Sequence, residues 1–339
     1  MISIKKFIIF TTAIIIASTS IGTTEARCSN VPEMKIIPTN RNAENVLTEG
    51  RLLSDITFLS DSICEGRGTG TRGSAEAAFW LVRKMSGFGL LPFGGSYSQS
   101  FILPNGKIGH NILGMIPGRG ENYIIIAAHY DHLGILGGKM FPGADSNASG
   151  VAAMLNLANM FRTMHRLGKN YSANIIFIAF DAKEINMNGS SHFWDAMNLG
   201  WFKNPVTGET ITREHISLMV NIDQIGSTLS PLRSGRKDYI LMLPGKNDYY
   251  GSLLHSCNSS LGLDMEIATD YYGSKDFTRL FYARVYDQKV FVAGKIPSVL
   301  FTSGITMNNN KPCDTADTLD MAVLKKRVWL IYNWLDRLI

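Results

Sequence analysis

A three-layer α/β/α fold with a mostly parallel central sheet follows from three observations. From Gly150 onward, long stretches of helical periodicity alternate with short apolar runs, the order expected of an α/β domain. The runs at residues 123–128, 173–180 (ANIIFIAF) and 216–222 are apolar almost throughout rather than alternating, which marks strands covered on both faces. Each run ends in ionisable residues: His129 after the first, Asp181, Lys183 and Glu184 after the second, Asp223 after the third. Ligands in open α/β sheets sit where such strands end.

In chain order, residues 43–59 carry apolar residues at helical spacing and lead into Ser60-Asp61-Ser62 and the glycine-rich CEGRGTGTRGS. Residues 75–88 keep the helical period, with Ser74 as a cap and Gly87 and Gly89 as the stop. Residues 97–103 and 110–116 read as strands between turn signals, and the run at Ile124 is the third. It leads into HYDHLG and PGADSNASG, a loop that Asp145 or Asn147 could simply cap before the helix at 151–167. Strands at 239–243 and 297–301 (PSVLF) follow, with a helix near 248–261 between them. An irregular stretch at 268–288 has the length that usually shapes a site. Residues 321–338 form an amphipathic helix. With no repeat, low-complexity tract or linker, residues 27–339 read as one domain.

Residues 1–26 read as a secretory signal: Lys5 and Lys6, the apolar run FIIFTTAIIIAS, then Thr24-Glu25-Ala26. The apolar core is shorter than the roughly 20 residues of a membrane span. Glu25 and Arg27 before Cys28 argue against lipid attachment, so a secreted or periplasmic location is expected. The 339 residues, 45% apolar and 18% charged, have ordinary globular composition. Removing the signal takes two lysines and one glutamate from a formal charge of +5. No basic run remains, and nucleic-acid binding has no support. Cys28, Cys64, Cys257 and Cys313 lack metal spacing, and in an exported chain they allow disulfides without defining the pairs.

The order HYDHLG, PGADSNASG, FDAKE followed by NGS, NIDQIG, then IPSVLF with a late Asp314-Thr315 pair resembles the secreted zinc aminopeptidases of the aminopeptidase S and aminopeptidase Y type, a family that includes glutaminyl cyclases. The likeness extends to EGRGTGTRGS and SYSQSF in the first part of the chain. It implies the zinc-exopeptidase fold and two adjacent zinc ions bridged by an aspartate, with a glutamate activating the water between them. Position by position, it implies His129 and Asp223 as ligands of the first metal, Asp145 as the bridge and Glu184 as a ligand of the second. Asp131 falls where a partner orients the histidine.

Three positions depart from that pattern. Lys183 stands where the general base belongs, Asn310 where the last ligand is a histidine, and Asp287-Gln288 replaces an aspartate-histidine pair; no histidine follows His255. An amide oxygen is a poor zinc donor beside imidazole, so the second site is expected to be weak. Two zinc ions would balance Asp145, Asp223, Glu184 and a fourth carboxylate, whereas one zinc with protonated Lys183 balances the three carboxylates present. One zinc, held by His129, Asp145 and Asp223 converging on a point, is therefore the expected cofactor. Restoring both Lys183→Glu and Asn310→His is expected to raise zinc content toward two ions.

The expected function is that of a metallopeptidase-like protein with one metal half-site and impaired or lost peptidase activity. The alternatives are an active mono-zinc aminopeptidase trimming peptide N-termini and a non-catalytic module that binds peptides or small amines. His132, Asn221 and Tyr272 are candidate cleft residues. His110, His165, His192, His215 and His255 read as structural.

Overall fold

The computed structural model describes residues 40–339 apart from 233, 244–247, 272 and 285, and only the backbone of 248, 281 and 284. The signal segment, Cys28 and Tyr272 lie outside the described residues. The first helical stretch is two helices, α1 (Asn40–Val46) and α2 (Glu49–Ser60), because the Thr48 side chain accepts from the Arg51 amide and starts a new helix. A short 3₁₀ segment, Ser62–Arg67, covers the start of the glycine-rich motif. Helix α3 (Arg72–Phe88) begins earlier than its apolar period, capped by Thr71 rather than Ser74, and ends on Gly89 at φ 78°. Such a cap is worth about 1 kcal/mol.

The strands are β1 (Ser98–Ile102), β2 (Ile108–Ile116), β3 (Tyr123–His129), the hairpin β4 (Gly134–Leu136) and β5 (Lys139–Phe141), β6 (Asn174–Phe180), β7 (Ile216–Ile222), β8 (Tyr239–Leu243), β9 (Glu266–Ala268) and β10 (Ser298–Thr302). Eight of them form one sheet in the order β1-β2-β6-β3-β7-β10-β8-β9. The central four, β6-β3-β7-β10, are mutually parallel, and β2 and β8 flank them antiparallel. Helices α4 (Gly150–Arg166), α5 (Asn188–Asn198), α6 (Asp248–Ser260), α7 (Lys275–Arg284), α8 (Lys289–Ala293) and α9 (Met321–Asp336) complete the set. The stretch read as irregular at 268–288 therefore contains α7, and α5 and the β4–β5 hairpin add elements that the period did not announce.

Alternation along β3 sends its residues into two separate cores. Ile124, Ile126 and Ala128 pack with residues of α1, α2, α3, α4, α6 and α9 on one face. Tyr123, Ile125 and Ala127 meet Phe193 of α5 and Phe291 of α8 on the other. All seven β3 residues are buried, as are all seven of β6, which is why those strands read as continuous apolar runs. Cys64 and Cys257 are buried, Cys313 is exposed, and all three are free thiols. Among the described residues, no helix is long and apolar enough to cross a membrane.

Candidate active site

β6, β3 and β7 lie side by side, with His129 level with Phe180 on one neighbour and Ala127 level with Asn221 on the other. Their exits open along one edge of the sheet, so the residues just past each strand meet there. Arg67 holds the turn beyond β3: its buried guanidinium donates to the carbonyls of Leu59, Tyr130, Pro142 and Gly143. One side chain of the glycine-rich segment thus joins the HYDHLG loop to the loop leading into Asp145. The segment must approach closely, since a Cβ on Gly73 would sit 2.0 Å from the Cys64 carbonyl oxygen. At the second exit, Asp181 accepts from the Thr69 and Tyr130 hydroxyls and the His110 and Ala182 amides.

Asp131 couples the two exits. Its oxygens accept from the amides of Lys183 and Glu184, each at 3.0 Å. Burial alone would raise its carboxyl, but His129 and these amides outweigh that and hold it below the usual range. His129 Nδ1 donates to the Asp131 carbonyl at 3.0 Å and lies 3.6 Å from the carboxylate, so Asp131 orients the ring mainly through its main chain. His129 Nε2 stands 3.1 Å from Asp223 Oδ2, with neither atom in an aligned hydrogen bond. Both side chains are fully buried. Burial and Lys183 oppose protonation of His129, while Asp223 and Asp131 favour it more strongly and push its pKa up to about 10.

Lys183 turns into this group. Its ammonium pairs with Glu184 Oε1 at 2.8 Å, and its side chain is only 12% exposed. Burial works against the charge, but Asp223, then Glu184, then Asp131 outweigh it and raise the pKa above the ordinary lysine range. Asp287 is buried nearby, its carboxyl pushed up to about 7 by burial, and Asn221 donates to Gln288 at 2.9 Å. Burial, with the positive charges of Arg67, His129 and Lys183, pushes His132 down to about 2, so this buried ring is neutral.

Asp145 does not join His129 and Asp223. Its Oδ1 accepts from the Gly226 and Ser227 amides at 2.8 and 3.2 Å and from the Ser149 hydroxyl at 3.1 Å. Burial and then the neighbouring Asp314 push its carboxyl up to about 7. Its other oxygen, Oδ2, is buried with no hydrogen-bond partner. Asn147 carries out the capping reading instead: Oδ1 accepts from the amides of Gly150 and Gln224, and Nδ2 donates to the Ile222 carbonyl. Asn310 is also displaced from the expected role. It is exposed at φ 57°, while Asn309 Oδ1 accepts from Gln224 Nε2, which also donates to Ser146 Oγ.

Zinc at a catalytic site takes three protein ligands and leaves one position open. His129 Nε2 and Asp223 Oδ2 are two donors with no competing bond; Glu184 Oε1 is tied to Lys183, and the amides of 226 and 227 occupy Asp145 Oδ1 while its buried Oδ2 has no hydrogen-bond partner. Among the described residues, no three His, Cys, Asp or Glu side chains come together in a set that could hold a metal. The donors present do not fit a catalytic zinc. Arg67 and the Gln224–Ser146–Asn309 bridge are the parts that sequence reasoning passed over, and Asp287 figures there only as half of a departing pair. Only Arg67 left a signal there, as a large basic side chain set among glycines.

The family model described as peptidase family M28 matches residues 111–335. Among curated proteins, BOS complex subunit NCLN of Homo sapiens is 29% identical over 162 residues, 46% of this chain and 27% of that protein. Aminopeptidase YwaD of Bacillus subtilis (strain 168) is 25% identical over 153 residues, 45% of this chain and 28% of that protein. The chain spans only 17% to 37% of the length of the curated relatives it matches. Among solved structures, the zinc aminopeptidase BSAP from Bacillus subtilis has a TM-score of 0.67 at 14% identity, covering 86% of this chain and 95% of that one. Porphyromonas gingivalis glutaminyl cyclase has a TM-score of 0.63 at 16% identity, covering 87% and 99%. At these identities the structural likeness establishes the fold.

Proposed function

The chain belongs to peptidase family M28, and on that premise we propose that it is an exported member in which peptide hydrolysis has been lost while the cleft still binds peptides or small amines. One observation carries the reading: at the base position, a largely buried Lys183 ammonium is paired with Glu184 at 2.8 Å. A protonated lysine has no lone pair with which to take a proton from water. General-base assistance is worth about 10²- to 10⁴-fold, so its loss alone removes most of a peptidase's advantage. The scattered donor set compounds the loss. Similarity to subunits of the BOS complex, beside similarity to aminopeptidases, supports a fold that serves binding as readily as catalysis.

The second reading, a mono-zinc aminopeptidase, draws on the His129–Asp223 pair, whose facing atoms are free of aligned hydrogen bonds. Hydrolysis of aminoacyl p-nitroanilides by the mature protein, with zinc or cobalt supplied and then chelated, separates the two. The expected result is no chelator-sensitive turnover, together with measurable binding of short peptides by calorimetry. Chelator-sensitive turnover would establish the second reading, and the absence of any peptide binding would remove the recognition half of the first.

A further inference from the structure

A cavity lies at the end of the sheet opposite the strand exits. Tyr123 opens β3 and His129 closes it, which at about 3.3 Å per residue separates the two ends by about 20 Å. The cavity, of about 390 Å³, sits between the loop 117–121 and the turn 204–210, with Tyr123, Asn174 and His215 in its wall. That volume suits a small molecule. One rim is shaped by Asn174, which is 2% exposed: its Oδ1 accepts from the Gly118 amide at 3.0 Å and its Nδ2 donates to the Gly120 carbonyl at 2.9 Å. The loop lies so close to residues 172 and 173 that a Cβ on Gly118 or Gly120 would meet a carbonyl oxygen at 2.2 or 2.4 Å. Arg119 stands between these two glycines, its own amide donating to the Tyr171 carbonyl at 2.9 Å, and it is thereby placed at the mouth.

Asn204 shapes the other rim. Its Oδ1 accepts from the Val206 and Thr207 amides at 2.8 and 3.2 Å, so its Nδ2 faces Tyr123 and donates to the phenol oxygen at 2.6 Å. The Tyr123 hydroxyl, on a side chain that is buried, therefore accepts from Asn204, and its own proton has no acceptor among the described residues. His215 is in a similar position. The Thr212 amide donates to its Nδ1 at 3.1 Å, which leaves the hydrogen of the neutral ring on Nε2, again with no acceptor among the described residues. Glu121 on one rim and Glu209 on the other complete the polar lining. A simple anion would be repelled by the two glutamates and a simple cation by Arg119, whereas a small ligand carrying both charges satisfies both. From this arrangement we infer that the cavity binds a free α-amino acid, with Arg119, the Tyr123 hydroxyl and His215 Nε2 taking its carboxylate and Glu121 and Glu209 its ammonium. Guanidinium and hydroxyl donors suit a carboxylate, and the site is independent of the cleft and of whether that cleft hydrolyses peptides.

The experiment titrates the mature protein by calorimetry with the common L-amino acids in turn, at millimolar concentration, and then with the amide and the N-acetyl derivative of the tightest binder. At least one amino acid should bind, and each derivative, lacking one of the two charges, should bind about tenfold or more weakly, the scale of one charge-assisted hydrogen bond. Arg119→Met removes an exposed side chain and leaves the main-chain bonds of its loop in place, and it should weaken the amino acid by a similar factor. The double variant Glu121→Gln with Glu209→Gln should do the same while leaving the affinity for the N-acetyl derivative unchanged. Binding of no amino acid, or equal binding of the amino acid and its two derivatives, would overturn the inference. So would an affinity that neither Arg119→Met nor the glutamate double variant alters, since the ligand would then sit elsewhere, the cleft included.

Discussion

Arg67→Met should unfold far earlier than the parent chain in a denaturant titration, with a loss of about 4 kcal/mol or more. The guanidinium is fully buried and donates to four main-chain carbonyls, those of Leu59, Tyr130, Pro142 and Gly143. Each buried acceptor left without a donor costs about 1–3 kcal/mol. Against a total stability of about 5–15 kcal/mol, losing four donors is close to losing the fold. Arg67→Lys should recover only part of the loss, since three donors on one nitrogen cannot reach carbonyls spread around a planar fork. The affected loops also carry His129, Asp131 and Asp145, so peptide binding should weaken in any variant that folds. An unchanged denaturant slope with a shift below about 1 kcal/mol would show that these loops are held by other bonds.

Lys183→Glu combined with Asn310→His should yield neither two bound zinc ions nor peptidase turnover. The motifs imply that these two changes rebuild the metal pair, but the structure places the partners elsewhere. Asn310 is exposed, and Asp145 is engaged by the amides of Gly226 and Ser227 and by the Ser149 hydroxyl. A histidine at 310 would join a loop whose inward contact is made by Asn309. A glutamate at 183 would add a carboxylate to Asp131, Asp223 and Glu184 while removing the cation that balances them. Breaking a buried pair in this way costs roughly 3–5 kcal/mol, so the main effect should be lost stability, read by denaturant titration with metal content measured alongside. Two tightly held zinc ions with chelator-sensitive turnover would show that Asp145 can swing inward and that its present bonds are weak.

The layered fold was legible because it is written in periodicity. Strands covered on both faces, such as 123–129 and 174–180, must be apolar throughout, and helices packed on one face repeat their apolar residues every third or fourth position. Boundaries were less legible where a side chain decided them locally: Thr48 splits one apolar period into two helices, and Thr71 starts α3 before its apolar stripe begins. The strand exits were legible too, since His129 ends its strand, Asp223 follows its strand directly and Lys183 and Glu184 stand a few residues past theirs, and neighbouring parallel strands bring these exits together. On those grounds the sequence by itself determined the fold class, the edge of the sheet at which the polar residues gather and the presence of lysine at 183, where the motif implies a base.

What only the tertiary structure decided is which of those residues face one another. Asp145 sits in the expected loop, and amides of residues 226 and 227, about eighty positions away in the chain, hold one oxygen of its carboxylate while the other has no hydrogen-bond partner. Lys183 could have pointed to water from the same motif, and it turns inward because Asp131 fixes the turn through two amides and the surrounding carboxylates attract the ammonium. Arg67 looked like one polar residue among glycines, and its four carbonyl partners come from three separate segments. Spacing in a sequence reports which atoms a loop carries to the end of a strand. The direction each side chain takes there depends on hydrogen bonds and charges supplied by distant segments, and these exist only once the chain has folded.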